Sequence, residues 1–140
     1  MNIAEIITIG DELLIGQTVD TNSAWIGSQL SLHGIRVNRI TSISDRREEI
    51  ISALSEALRR AGLVLITGGL GPTSDDITKE TLAEFFGSKL VLDQGVLDVV
   101  AERLSKRNLE MNDNNRRQAL VPDNCTVLAN HRGPAPGTLF

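Results

Sequence analysis

The sequence has little of what marks a nucleic-acid-binding protein or a disulfide-bonded secreted protein. Its 140 residues include one tryptophan, three phenylalanines and no tyrosine, so it lacks a series of aromatic side chains on which single-stranded bases would stack. Its net charge is −4, so the chain has no overall basic character that would favour nucleic acid as a partner. Cys125 is the single cysteine. An intramolecular disulfide is therefore impossible, as is usual in the reducing cytosol.

Segments that direct a chain to a membrane are also missing from the sequence. The N-terminus has no basic region followed by a small-residue cleavage site. No apolar run approaches the ~20 residues that span a bilayer. We therefore expect a cytoplasmic protein with no membrane partner, and the length suits one domain over residues 1–140.

Three common enzyme patterns are not found. The sequence contains neither the Gly-x-Ser-x-Gly of many serine hydrolases nor the Gly-x-Gly-x-x-Gly of dinucleotide-binding proteins. His33 and His131 have no zinc-ligand spacing. Serine hydrolase, dehydrogenase and zinc chemistry are all disfavoured.

Strand-like and helix-like segments alternate along the chain. This alternation predicts an α/β fold of three layers, α/β/α, with a mostly parallel sheet. Ligands of such sheets bind beyond the carboxyl ends of the strands, where we expect the loops at 10–16, 43–46, 68–75 and 130–137 to meet. The predicted strands are 3–9, 35–40 (nearer an edge), 63–67 (fully buried), 89–92 and 125–128, and the predicted helices are 21–33, 45–61, 77–87, 93–104 and 112–120.

The stretch 68–80 carries the strongest functional signal. Three glycines follow the strand at 63–67, and without a Cβ they let the backbone turn sharply and approach a ligand. Ser74, Asp75 and Asp76 are good N-cap residues for the next helix, and Glu80 has the position that a capping box requires. A strand, a glycine loop and a helix N-terminus together form a typical phosphate-binding geometry.

The two adjacent acids in this loop suggest a metal ion. Asp75 and Asp76 would repel the phosphate that the helix N-terminus attracts, and a divalent cation between them would reverse the local field. We hypothesise a metal-bridged phosphate or pyrophosphate site with oxygen ligands, which suit Mg²⁺ or Mn²⁺. The alternative is a tight turn and helix cap in which the aspartates only satisfy backbone amides.

With these motifs in view, the chain resembles the molybdopterin-binding-like N-terminal domain of the competence/damage-inducible protein CinA family. The signature is Gly-Gly-Leu-Gly-Pro-Thr at 68–73 with Asp-Asp-Ile-Thr-Lys-Glu at 75–80. Glu-Leu-Leu at 12–14, Thr21-Asn22 and the block Asn115-Arg116, Gln118-Ala119 and Pro122 are also similar to family motifs. The resemblance covers residue 3 to the end and implies a molybdopterin-binding-domain-like fold.

The chain departs from the family pattern in three places. Asp11 stands where the family more often has threonine, and Pro134 replaces the threonine of a Gly-Thr-Ala-Pro-Gly loop, which removes a hydroxyl group and an amide donor. The sequence ends at Phe140, before the family's Leu-Pro-Gly-Pro-Pro segment and without its amidase domain. We therefore expect a domain truncated at its C-terminus.

The resemblance implies metal-dependent hydrolysis of ADP-ribose to AMP and ribose 5-phosphate, with Mg²⁺, Mn²⁺ or Co²⁺ as cofactor. The alternative is a module that binds molybdopterin or a nucleotide without turnover. A third possibility is that the domain mainly supports dimerisation of a longer protein, and a homodimer is expected in any case.

The resemblance also assigns roles to individual residues. Asp76 is expected to be the principal catalytic metal ligand, and Asp75 a second one or a solvated neighbour. Asp11 is expected to bind metal or ribose, unless it is only solvated. Phosphate or nucleotide contacts are expected from Gly68, Gly69, Gly71, Thr73, Ser74, Asn22, Asp45, Arg116 and Gln118. Helix capping is the alternative role for Asn22 and Asp45, and a solvated helix face is the alternative for the run 114–118.

Overall fold

The computed structural model describes residues 2–73 and 76–140, and the chain forms two compact units. Unit 1 ends at Gly69 and unit 2 begins at Leu70. The elements of unit 1 are β1 (Ile3–Ile9), α1 (Asp11–Leu14), α2 (Thr21–Leu32), β2 (Arg36–Ile43), α3 (Arg47–Arg60) and β3 (Leu63–Thr67).

Unit 1 is built on a parallel sheet with the order β2-β1-β3. Ile6 in β1 pairs with Ile40 of β2 on one side and with Leu65 of β3 on the other. β1 is buried from Ala4 to Ile9, as expected for a central parallel strand made of β-branched residues. The predicted α/β class with a parallel central sheet is confirmed.

The prediction of a fully buried strand at 63–67 is wrong. β3 ends the sheet within the part of the chain that the structure describes. Its first residue, Leu63, is 36% exposed and its other residues are half-buried. An apolar run alone does not distinguish a central strand from an edge strand, because both contain apolar residues on the face that contacts the core.

The central strand also carries a buried charge that the apolar pattern does not predict. Glu5 is 2% exposed, and both of its carboxylate oxygens accept hydrogen bonds from Arg60, at the end of α3. The distances are 2.8 Å from Nε and 2.9 Å from Nη2. Arg60 Nη1 donates to Glu56 one helical turn earlier. This ion pair fastens the end of α3 to the sheet.

Unit 2 has a different sheet arrangement from the one predicted. Its strands form two antiparallel pairs, β4 with β5 and β6 with β7, so they do not extend a parallel sheet. The strands β5 and β7 were not predicted, since β5 begins inside the predicted helix 112–120 and β7 has a single apolar side chain, Leu139. The elements are α4 (Thr78–Phe85), β4 (Leu90–Leu92), α5 (Gln94–Lys106), α6 (Asp113–Arg117), β5 (Leu120–Pro122), β6 (Thr126–Leu128) and β7 (Gly137–Leu139).

The core of unit 2 lies between α5 and β5. Val96 and Val100 of α5 are buried against Ala119 and Val121. Partly buried apolar side chains extend this cluster, namely Leu97, Leu104, Met111 and Val127. Asp93 caps α5 as predicted, since its Oδ1 accepts a 2.9 Å hydrogen bond from the Val96 amide.

Bilayer-spanning segments were not expected. Within residues 2–73 and 76–140, none of the helices combines the length and the apolar character that crossing a membrane requires.

Candidate functional site

Three loops leave the carboxyl ends of β1, β2 and β3 along one edge of the parallel sheet of unit 1. The Gly10 amide donates a 3.0 Å hydrogen bond to the carbonyl of Ile43. The Asp11 amide donates to Asp45 Oδ2 at 3.3 Å. The structure thus brings two predicted site residues, Asp11 and Asp45, together at the edge where open α/β sheets bind ligands. Asp45 does not cap α3, because Arg46 occupies the cap position.

The third loop at this edge depends on Gly68. Its φ is +102°, and a Cβ at this position would overlap the carbonyl oxygen of Ile9. Gly69 follows with φ +63°. Gly68 therefore has a packing role, since only glycine allows the chain to pass this close to the end of β1. Contacts from the amides of Gly68 and Gly69 to a ligand stay a prediction.

Asp20 is a residue that the sequence analysis missed. Its carboxylate accepts hydrogen bonds from the amide and the hydroxyl of Ser23, at 3.0 and 2.6 Å. Burial acts to raise the pKa of Asp20, but the hydrogen bonds from Ser23 and Thr8 outweigh it and hold that pKa below its ordinary value. Asp20 therefore caps α2, so helix capping, the alternative role predicted for Asn22, is wrong. The spacing Asp-x-x-Ser was the available signal. Asn22 lies exposed in the first turn of the helix.

In unit 2, the glycine loop continues into a turn closed by Asp76. Its Oδ2 accepts hydrogen bonds from both the amide and the hydroxyl of Thr73. Gly71 lies against the same carboxylate, because a Cβ there would be 2.6 Å from Asp76 Oδ2. Three predicted site residues are thus in one turn, and Asp76 has a fixed orientation. The predicted capping of α4 by Asp76 is wrong, since Ile77 is the cap residue. Ser74 and Asp75 lie outside the described residues.

The start of α4 is joined to the end of α6. Lys79 Nζ donates a 2.6 Å hydrogen bond to the carbonyl of Arg117. Arg117 Nη2 contacts Glu80 Oε1 at 3.1 Å. Glu80 therefore forms an ion pair with Arg117, and α4 has no side-chain cap. Burial lowers the pKa of Lys79, although Glu80 acts in the opposite direction.

Two buried acceptor atoms lie in this region of unit 2. Gln118 is 7% exposed. Its Oε1 and the Oε2 of Glu80 have no hydrogen-bond partner among the described residues. Buried oxygens of this kind are normally satisfied by a donor from water or a ligand. Arg116, the other predicted residue of this block, is exposed.

The described residues contain no cluster of three His, Cys, Asp or Glu side chains able to hold a metal ion. A predicted set made of Asp11, Asp75 and Asp76 stays a prediction, because Asp75 lies outside the described residues. Mg²⁺ is often bound by one or two carboxylates together with phosphate oxygens and water. Asp76 alone fits that mode, in which the ligand itself brings most of the donors.

Comparison with known proteins identifies the family. The family model described as "Probable molybdopterin binding domain" matches residues 5–137. A CinA-like protein of Cytophaga hutchinsonii is 50% identical over 137 residues, which are 98% of this chain and 33% of that protein. A CinA-like protein of Gemmatimonas aurantiaca is 47% identical over 134 residues, or 95% of this chain and 31% of that protein. The chain thus spans about a third of the length of these relatives.

Solved structures show the same relationship. The crystal structure of the protein CinA from Thermoplasma acidophilum superposes with a TM-score of 0.87 at 37% identity, covering 98% of this chain and 80% of that one. The tungsten cofactor synthesizing protein MoaB from Pyrococcus furiosus has a TM-score of 0.60 at 20% identity, with 100% and 80% coverage, and shares the fold. The chain belongs to the molybdopterin-binding-like domain family and is one of its CinA-like members.

Proposed function

We propose that this domain binds a small molecule with a phosphate group, of the pterin or nucleotide type, at the loop 68–80. The observation that carries the proposal is the turn closed by Asp76 and Thr73, which follows the glycine loop and precedes α4 in a chain that matches the molybdopterin-binding family over residues 5–137. A helix N-terminus attracts anions through its free amides and its dipole.

Thr73, Gly71 and Asp76 have different roles in the proposed site. Thr73 holds Oδ2 of Asp76, so the carboxylate has a fixed position near the first turn of α4. Gly71 has no side chain to cover that carboxylate. The ligand's phosphate then approaches the start of α4, and Asp76 carries the negative charge that a bridging cation would neutralise.

A divalent cation, Mg²⁺, Mn²⁺ or Co²⁺, is part of this proposal. Asp76 would be its protein ligand among the described residues of unit 2, with Asp75 as a further proposed ligand. When bound, the cation would neutralise the phosphate charge and offset its repulsion by the aspartates. Because most donors would come from the phosphate, the metal and the ligand are expected to bind together.

Hydrolysis of ADP-ribose to AMP and ribose 5-phosphate is the more specific activity proposed for this site. Binding is proposed ahead of turnover, because the family description refers to binding of molybdopterin. The two are separated by incubating the protein with ADP-ribose and each metal and following AMP by chromatography. Formation of AMP would establish the hydrolase, whereas retained binding without AMP would leave the binding function alone.

The substitution Asp76→Asn tests the binding site. We expect calorimetry with ADP-ribose or AMP in the presence of Mg²⁺ to show an affinity lower by about tenfold or more, which corresponds to one charge-assisted interaction of about 1.4 kcal/mol. Asp98→Asn, an exposed acid of α5, is the matched control and should retain the wild-type affinity.

Chelation provides the second arm of the same experiment. With EDTA in place of Mg²⁺, the wild type should lose as much affinity as Asp76→Asn, and the variant should lose little more. Equal affinity of Asp76→Asn and the wild type with metal would remove Asp76 from the site. Absence of saturable binding by the wild type to either nucleotide would refute nucleotide binding.

We also propose that a second copy of the chain is a partner. The segment containing α1 and α2 exposes large apolar side chains, which are common at protein interfaces. The exposed fractions are 51% for Leu14, 75% for Ile15, 80% for Val19, 66% for Trp25 and 78% for Leu32.

Light scattering after size-exclusion chromatography tests this partner. The expected mass is twice the 15.2 kDa of one chain, and Trp25→Ser should shift the protein toward the single-chain mass because it removes the largest of these apolar side chains. Leu109→Ser, at a residue 56% exposed elsewhere, should have no effect on the mass. A wild type with the mass of one chain at every concentration would contradict the proposal.

A further inference from the structure

Unit 2 contains a cavity of about 720 Å³ that the proposed phosphate site does not use. It lies between one face of α5 and the hairpin formed by β6, the turn at 129–136 and β7. None of the described residues of the glycine loop and the start of α4, 68–73 and 76–80, lines it. Its volume is within the range of small-molecule sites in proteins, roughly 300–1,000 Å³.

One part of the wall of this cavity is apolar. Val96 and Val99 of α5 face Val127 of β6, and Pro134 and Pro136 complete the wall from the turn. Val99 remains 41% exposed. An apolar side chain that lines a cavity and stays accessible favours a ligand with an apolar body, because binding would remove that surface from water.

The turn that closes the cavity is held by its own hydrogen bonds. Asn130 Oδ1 accepts from the amides of Arg132 and Gly133, each at 3.0 Å, and Asn130 Nδ2 donates to the carbonyl of Ala135 at 2.8 Å. The two prolines restrict the turn further, since each has a fixed φ. The cavity is therefore formed before a ligand binds, and a preformed site loses less conformational entropy on binding.

The charged groups around the cavity leave two arginines available. Lys106 is paired with Glu102 at 2.6 Å, and Asp93 is engaged as the cap of α5. Arg103 and Arg107 are four residues apart, on the same side of the helix end. Both line the cavity, and neither appears in an ion pair within the described part of the chain. Guanidinium groups recognise carboxylate, phosphate and sulfonate groups through paired hydrogen bonds.

We propose that this cavity is a second ligand site, which binds a small organic anion with a flat or apolar body. The acidic group of the ligand contacts Arg103 and Arg107, and its body lies against Val99, Val127 and the two prolines. This site is separate from the loop at 68–80, so a chain with both sites binds two ligands at once.

Titration with 8-anilinonaphthalene-1-sulfonate tests the site, because this dye combines an aromatic body with a sulfonate and becomes fluorescent in apolar surroundings. We expect saturable binding of one dye per chain in the wild type. The double variant Arg103→Gln/Arg107→Gln should bind about tenfold more weakly. The double variant Arg36→Gln/Arg59→Gln loses the same two charges from exposed residues of unit 1 that do not line the cavity, and should keep the wild-type affinity. Circular dichroism verifies that all variants are folded.

Other outcomes would overturn the proposal. An unchanged affinity in Arg103→Gln/Arg107→Gln would remove the arginines from the site. Equal losses in both double variants would show that the dye responds only to net charge. A large loss of dye affinity in Asp76→Asn would place the dye at the loop 68–80, whereas an unchanged affinity is expected if the sites are separate.

Discussion

Replacing Gly68 with alanine is expected to lower the melting temperature by more than about 10 °C or to prevent folding of unit 1. The φ of +102° is unfavourable for any residue with a Cβ, and here that Cβ would overlap the carbonyl oxygen of Ile9. The overlapping atom belongs to the backbone of the central strand and cannot rotate away as a side chain would. Thermal unfolding followed by circular dichroism measures the effect.

Substitutions at two other glycines distinguish the cost of the positive φ from the cost of the overlap with Ile9. Gly34 has φ +72°, and no atom lies within 4 Å of the position that a Cβ would take there, so Gly34→Ala should show only the conformational cost, about 1 kcal/mol. Gly62 has neither a positive φ nor a neighbour within 4 Å, and Gly62→Ala should be neutral or slightly stabilising. A Gly68→Ala protein as stable as Gly34→Ala would contradict the close approach to Ile9.

Replacing Arg60 with leucine should produce the second large loss of stability, about 10 °C in melting temperature at pH 7. Glu5 would remain in the centre of the sheet, 2% exposed, without the guanidinium that contacts both of its oxygens. Removing one partner of a buried pair is costly because the other charge stays desolvated. Arg59→Leu, at the neighbouring exposed arginine, is the control and should have a small effect.

The same ion pair predicts a pH dependence with a definite sign. The hydrogen bonds from Arg60 hold the pKa of Glu5 below its ordinary value of 4.5, although burial acts to raise it. The contribution of the pair is therefore fully present above pH 4.5 and is lost as the pH falls through the lower pKa of the folded state. The difference between wild type and Arg60→Leu should be largest near pH 7 and should narrow below pH 4.5.

Rescue by a second substitution tests whether Glu5 is the cause. In Glu5→Gln/Arg60→Leu no buried carboxylate remains, so part of the lost stability should return and the pH dependence should disappear. If the double variant is as unstable as the sum of two independent losses, the effect of Arg60 arises from its packing on α3 and not from the pair.

Periodicity in the sequence predicted the long elements well. The apolar β-branched run 3–9 is the central strand, and the alternating segment after Gly34 is an edge strand of the same sheet. Strand pairing in unit 2 was not predictable, because three-residue strands have no measurable alternation. Their antiparallel pairing depends on contacts between segments that are distant in the sequence. The position of β3 at an edge was missed for the same reason.

Some contacts of the candidate site residues could be predicted from the sequence, and others could not. Asp11 and Asp45 meet because each follows a parallel strand, which the order of elements predicts. The turn between Thr73 and Asp76 and the pair of Glu80 with Arg117 were not predicted. Glu80 could complete a capping box or form an ion pair. It pairs with Arg117 because α6 places that arginine beside it. The arginines of the cavity had no signal at all, since an exposed helix face has the same pattern.

Glycine motifs in this chain have a structural role that accompanies any binding role. Gly68 allows the chain to pass Ile9, and Gly71 leaves space for the Asp76 carboxylate. Gly68 would be required in a domain without ligand, because the atom it avoids belongs to the backbone. Binding at the loop must therefore be measured at the amides themselves and at Asp76.

Mapping of amide chemical shifts by NMR, during titration of the labelled protein with AMP and Mg²⁺, measures ligand binding at the loop 68–80 most directly. We predict that the largest shifts occur at the amides of Gly68, Gly69, Gly71, Thr73 and Asp76 and at the first turn of α4, and that EDTA reverses them. Saturable shifts confined to other residues, with the loop amides unchanged, would contradict the proposed phosphate site.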